Sequence, residues 1–125
     1  MKHSLKVNKT QTGLEGILML EGDLTMVQAQ ETHQILFEAV LEVNSLIIDL
    51  QNVGEVDVSL IQLLCSAHRE CYLSGKTILI ENGENESINR LLEKSGYWKQ
   101  RGCLSGAKES CLWQACSEIK QYNYL

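Results

Sequence analysis

Ser45-Leu46-Ile47-Ile48-Asp49-Leu50 is the stretch on which the fold turns. Its nearly continuous Leu and Ile content suits a parallel strand covered on both faces. Working outward, residues 51–58 form a polar loop around Gly54, and residues 60–73 carry apolar side chains on almost every helical face, as expected of a helix pressed against a sheet. Gly75 follows as a helix-terminating signal, then a strand over 76–81 with Ile78, Leu79 and Ile80 at its centre. After a polar loop at 82–85, Ile88, Leu91 and Leu92 define a short helix ending at Gly96.

On the other side, Ala29, His33, Leu36, Val40 and Val43 recur at helical spacing and predict a helix that stops near Asn44. Thr25 with Gln28 fits a capping box at its start, in which hydroxyl and amide each satisfy an orphan N–H. Before it lie a strand over 14–20, closed by Gly22-Asp23-Leu24-Thr25, and an edge strand over 5–7, joined through 8–13 as a hairpin. Beyond Gly96 the pattern predicts a short edge strand over 101–104. Leu112, Ala115, Cys116 and Ile119 then mark a last amphipathic helix before a frayed tail at 121–125. The order β-β-α-β-α-β-α-(β)-α gives an α/β fold: a mixed sheet of four to five strands, with right-handed crossovers and helices mainly on one side. Residues 1–125 read as one domain, with 97–125 as a C-terminal extension.

Bulk properties narrow the function. The chain of 125 residues is 44% hydrophobic and 22% charged, which describes one globular core. A formal charge of -5 argues against nucleic acid as partner, since phosphate binding needs a basic face. No apolar run approaches a membrane span and no signal peptide is visible, so a cytoplasmic location is expected. Cys65, Cys71, Cys103, Cys111 and Cys116 are odd in number and match no disulfide framework. They read as small buried hydrophobes rather than metal ligands, including Cys65-x-x-His68-x-x-Cys71. Of the three histidines His3, His33 and His68, the latter two lie within helices away from the polar loops, and Gly13, Gly16 and Gly22 lack the spacing of a phosphate-cradling loop. No enzymatic activity and no cofactor are expected.

The polar loops gather at the carboxyl ends of the parallel strands, where α/β sheets present their function. Asp23 and Thr25 precede the first helix, residues 55–59 the second, and 81–86 the third. Each feeds a helix N-terminus, where negative charge is favoured, so capping accounts for most of these acids. Ser59 with Gln62 fits a second capping box, and Asp57 is a rival N-cap.

Asp49-Leu50-Gln51-Asn52-Val53-Gly54-Glu55-Val56-Asp57-Val58-Ser59 resembles the signature of STAS domains, the family of sulfate transporter and anti-sigma factor antagonist domains. Gly22-Asp23-Leu24, Gly75-Lys76 and Leu92-Glu93-Lys94-Ser95-Gly96 extend the similarity in order from about residue 14 to 96. The resemblance implies a signalling module that binds a partner acting as both kinase and anti-sigma factor. By position, Ser59 matches the hydroxyl that such a partner phosphorylates, and Asp57 the acidic residue before it. Val58 stands where the family often has Ser or Thr, and Leu60 where antagonists usually have Gly. The implied partner-binding surface comprises Asp23, Thr25, Asp57, Val58, Ser59 and Leu60. Other members are docking subunits whose hydroxyl is never phosphorylated, which implies the alternative of a constitutive scaffold in a chemosensory cluster or on a transporter ATPase.

Overall fold

A computed structural model describes residues 1–81 and 85–95 of the chain. The strands β1 (Lys2–Thr10), β2 (Gly13–Leu24), β3 (Ser45–Val56) and β4 (Thr77–Glu81) form one sheet in the order β1-β2-β3-β4. β1 pairs antiparallel with β2, whereas β2–β3 and β3–β4 are parallel. The helices α1 (Ala29–Glu42), α2 (Val58–Leu73) and α3 (Glu86–Ser95) pack on β2, β4 and β3 respectively. The expected mixed sheet is observed; β1, β2 and β3 are longer than the sequence suggested, and β4 lies within one residue of its expected limits. The strand over 101–104 and the helix around Leu112–Ile119 fall outside the described residues.

Alternation explains which side is the core. Leu18 and Leu20 of β2, Leu46, Ile48 and Leu50 of β3 and Ile78 of β4 share one face of the sheet and are buried under the helices. Each such Leu or Ile stabilises the fold by about 1.5–3 kcal/mol through removal from water. Ile17, Ile47 and Leu79 line up across the opposite face, which no described element covers. The expectation that β3 is covered on both faces is therefore corrected for the described residues. Its apolar run reflects a half-buried second face rather than a second helical layer.

Helix boundaries follow from local chemistry. Thr25 and Gln28 form the expected capping box, with Gln28 Oε1 accepting from the Thr25 amide at 3.0 Å. They open a single 3-10 turn, Met26–Gln28, that runs into α1. Thr32 rather than His33 enters the core; its hydroxyl donates to Gln28 O, and His33 turns outward to stack on Phe37 with centroids 4.4 Å apart. α2 is amphipathic rather than apolar all round: Leu60, Ile61, Leu64, Ala67, His68 and Cys71 are buried, while Tyr72 and Leu73 are exposed. It ends as expected at Gly75, whose φ of 71° is left-handed; the Lys76 amide donates to Cys71 O at 2.8 Å and the Gly75 amide to Tyr72 O at 3.4 Å. Burial pushes the Cys71 thiol pKa up, Lys76 draws it down and Glu70 adds to the rise, giving an unreactive core thiol.

The residues expected to be a loop at 51–58 instead prolong β3 to Val56. The reason is a pair of bulges. Met19 faces Asp49 and Glu21 faces Asn52, then Gly22 faces Val53 and Leu24 faces Val56, so β3 gains one residue on β2 at each shift. Each extra residue resets the in–out alternation, which brings Val53 back into the core and erases the strand pattern from the sequence. Asn85 holds the first bulge: its Nδ2 donates to Leu50 O, Gln51 O and Val53 O at 3.3, 3.1 and 3.0 Å. Its Oδ1 accepts from the Ile88 amide at 3.1 Å, so the same side chain caps α3.

Asn85→Ala should therefore lower stability by about 1–3 kcal/mol, as the bulge carbonyls and the helix start lose their partner together. Asn85→Asp should not rescue it, because a carboxylate accepts from Ile88 but cannot donate to three carbonyls. Urea unfolding of the three proteins checks both statements.

Candidate functional site

The site lies where β2 and β3 leave the sheet. Two aspartates bind the strand ends reciprocally. Asp23, near the end of β2, accepts from the Glu55 amide of β3 through Oδ1 at 2.9 Å. Asp57, just beyond β3, accepts from the Met26 amide just beyond β2 through Oδ2 at 2.8 Å. Gly54 makes room for the first contact, since a Cβ there would stand 2.5 Å from Asp23 Oδ1. The two loops are thus held at one end of the sheet by main-chain donors and side-chain carboxylates.

Asp57 is also the N-cap of α2. Its Oδ1 accepts from the Ser59 amide at 3.0 Å and from the Ser59 hydroxyl. Of the two capping arrangements the sequence allowed, Asp57 is the one formed, and Ser59 is the second residue of the helix. Partial burial pushes the Asp57 carboxyl pKa up. Hydrogen bonds from the Ser59 hydroxyl, the Met26 amide and the Ser59 amide outweigh that effect and hold it below the usual carboxylate range.

The expected surface residues are brought together with one exception. Asp23 and Val58 are exposed, and Thr25, Asp57 and Ser59 are half-buried at the rim. Leu60 is 2% exposed and packs beneath them, because the helix turns it toward the sheet. Two residues absent from the sequence reading complete the surface: Met26 is 74% and Val27 87% exposed, beside Val58 at 49%. The signal for them was two apolar residues directly after a capping Thr, ahead of the first buried helical position. Next to this ridge lies a cleft of about 410 Å³ lined by Thr25, Glu55, Val56, Asp57, Ser87, Arg90, Leu91 and Lys94. Its lining places the basic Arg90 and Lys94 of α3 around the same space as Glu55 and Asp57. Among the described residues, no three His, Cys, Asp or Glu gather as metal ligands, and no helix is long and apolar enough to cross a membrane.

The depressed Asp57 pKa has a sign. The ionised carboxylate is favoured by the fold, so its contribution is complete above the unfolded-chain value of about 3.9 and is lost as pH falls through the lower folded value. Asp57→Asn should be less stable than the parent by about 1–2 kcal/mol at neutral pH. The gap between the two unfolding curves should narrow as pH falls below the unfolded-chain carboxylate value of about 3.9, which denaturant titrations across pH will show.

No curated protein sequence matches the chain. Solved structures share the fold. An anti-sigma factor antagonist from Mycobacterium paratuberculosis superposes with a TM-score of 0.58 at 16% identity, over 78% of this chain and 81% of that one. The Bacillus cell fate determinant SpoIIAA in its phosphorylated form gives 0.53 at 15% identity, over 74% and 84%. An antagonist STAS domain from Rhodobacter sphaeroides gives 0.50 at 20% identity, over 71% and 90%. The family model described as Mlab, STAS domain, matches residues 7–99, from β1 through α3 and including both aspartates and Ser59; the chain belongs to the STAS domain family.

Proposed function

We propose that the protein is a non-enzymatic, cytoplasmic signalling module of the anti-sigma factor antagonist kind, which docks a kinase and anti-sigma partner and is switched by phosphorylation at Ser59. The observation that carries this reading is the placement of the Ser59 hydroxyl at the rim of an exposed apolar ridge of Met26, Val27 and Val58. A docking partner covers that ridge, and apolar burial there supplies the affinity. The contacting residues are Asp23, Thr25, Asp57, Val58 and Ser59, with Leu60 supporting them from the core. The partner's nucleoside triphosphate supplies the phosphoryl group: the Ser59 Oγ–P bond forms as the bond to the leaving diphosphate breaks, and the hydroxyl proton departs.

The product charge acts as a switch for a physical reason. A phosphate adds about -1.5 to -2 charges beside Asp57, yet a helix N-terminus tolerates it within the isolated fold. On docking, the same charge has to be stripped of water at the centre of the interface, so binding weakens while the fold survives. The architecture shared with antagonists, one of them solved in a phosphorylated form, is consistent with this reading. A second reading, a constitutive docking subunit on a larger assembly, draws support from the engagement of the Ser59 hydroxyl by Asp57.

The test is recovery of the protein from its native cells with cross-linked partners, followed by phosphosite mapping and affinity measurement. Ser59→Asp should bind the recovered partner at least about tenfold more weakly, equivalent to about 1.4 kcal/mol. Ser59→Ala should bind within about threefold of the parent and escape control, with thermal melts run alongside to separate folding from binding. An unmodified Ser59 and equal affinities for both variants would transfer the assignment to the docking subunit.

A further inference from the structure

The Asp57 carboxylate has two jobs that no single-residue reading of Ser59 contains. Through Oδ1 it serves Ser59, and through Oδ2 it holds the Met26 amide, the first orphan donor of the 3-10 turn that displays Met26 and Val27. We propose that Asp57 is a latch linking Ser59 to the Met26–Val27 turn, so that a phosphate on Ser59 not only adds charge but also releases the apolar half of the docking ridge. This deepens the reading of Ser59 as the modified residue and rests on it.

The chemistry runs in one direction. A phosphorylated Ser59 has lost the hydroxyl proton that Asp57 accepts and carries only acceptor oxygens. Those oxygens compete with Asp57 for the Ser59 amide and its neighbours at the start of α2, which favour the more highly charged group. Repulsion between the two anions then turns the Asp57 carboxylate away, and the Met26 amide loses its partner. The second clasp, from Asp23 to the Glu55 amide, involves neither Ser59 nor Asp57 and stays closed. Release is thereby confined to the turn, while the strands beneath remain paired.

The latch is read from amide exchange without a partner, and set beside the affinities measured for the switch. Phosphoserine is installed at position 59 during synthesis, and amide exchange is measured by NMR at Met26, Val27, Glu55 and Ile48. Asp57→Ala sets the released limit, and Asp57→Asn, which keeps one capping oxygen, serves if the alanine variant does not fold. Exchange at Met26 should rise at least about fivefold, toward the Asp57→Ala rate, with Glu55 and Ile48 unchanged. A nearby negative charge by itself slows hydroxide-catalysed exchange, so mere electrostatics predicts the opposite sign. A Met26 amide as protected as in the unmodified protein overturns the latch, as does loosening that extends to Ile48. Lost partner affinity with a silent Met26 would retain the switch and remove the latch. A released Met26 with unchanged affinity would do the reverse.

Discussion

The two surplus residues of β3 are the constraint on which the rest of the site depends. Asp49 to Val56 spans seven steps against the five from Met19 to Leu24, so the central strand has to buckle twice along its neighbour. Buckling turns the carbonyls of Leu50, Gln51 and Val53 toward Asn85, which gathers them through Nδ2 and starts α3 through Oδ1. It also brings the end of β3 alongside the end of β2, where the aspartate clasp closes. Without the bulges, β3 would carry a strict alternation, and Val53 would fall on the wrong face of the sheet.

This constraint accounts for what was legible in the sequence and what was not. Regular periodicity identified β3 up to Leu50, and it placed α1, α2 and β4 within a few residues of their observed limits. It failed at residues 51–56, where each bulge resets the pattern and a strand reads as a loop. The helix stop at Gly75 and the capping box at Thr25 were legible because each rests on a local contact between residues at fixed spacing. His33 shares the helical spacing of Leu36 and Val40, yet Thr32 is the one that enters the core, because its hydroxyl is satisfied by the Gln28 carbonyl one turn back.

The site was legible in part for the same reason. Asp23, Thr25, Asp57 and Ser59 stand at strand ends and helix starts, and the topology alone brings such positions together. Met26 and Val27 were not recognised, because solvent exposure of an apolar side chain is a tertiary fact: it depends on the short turn that lifts them off the core. Leu60 was assigned outward on family position and lies inward on geometry, where it supports the first turn of α2. The basic residues Arg90 and Lys94 are far along the chain, and the attachment of α3 through Asn85 and through buried Ile88 and Leu92 puts them near the acidic loops.

The aspartate clasp grips main-chain amides, so the geometry is indifferent to the side chains at the positions it grips. Met26 and Glu55 are held in place by groups that every residue except proline possesses. Those positions are free to drift in identity over evolutionary time without disturbing the framework that presents them. Duplicate copies of such a domain in one genome can therefore acquire separate partners by exchanging a few displayed side chains, while inheriting the same folding determinants unchanged.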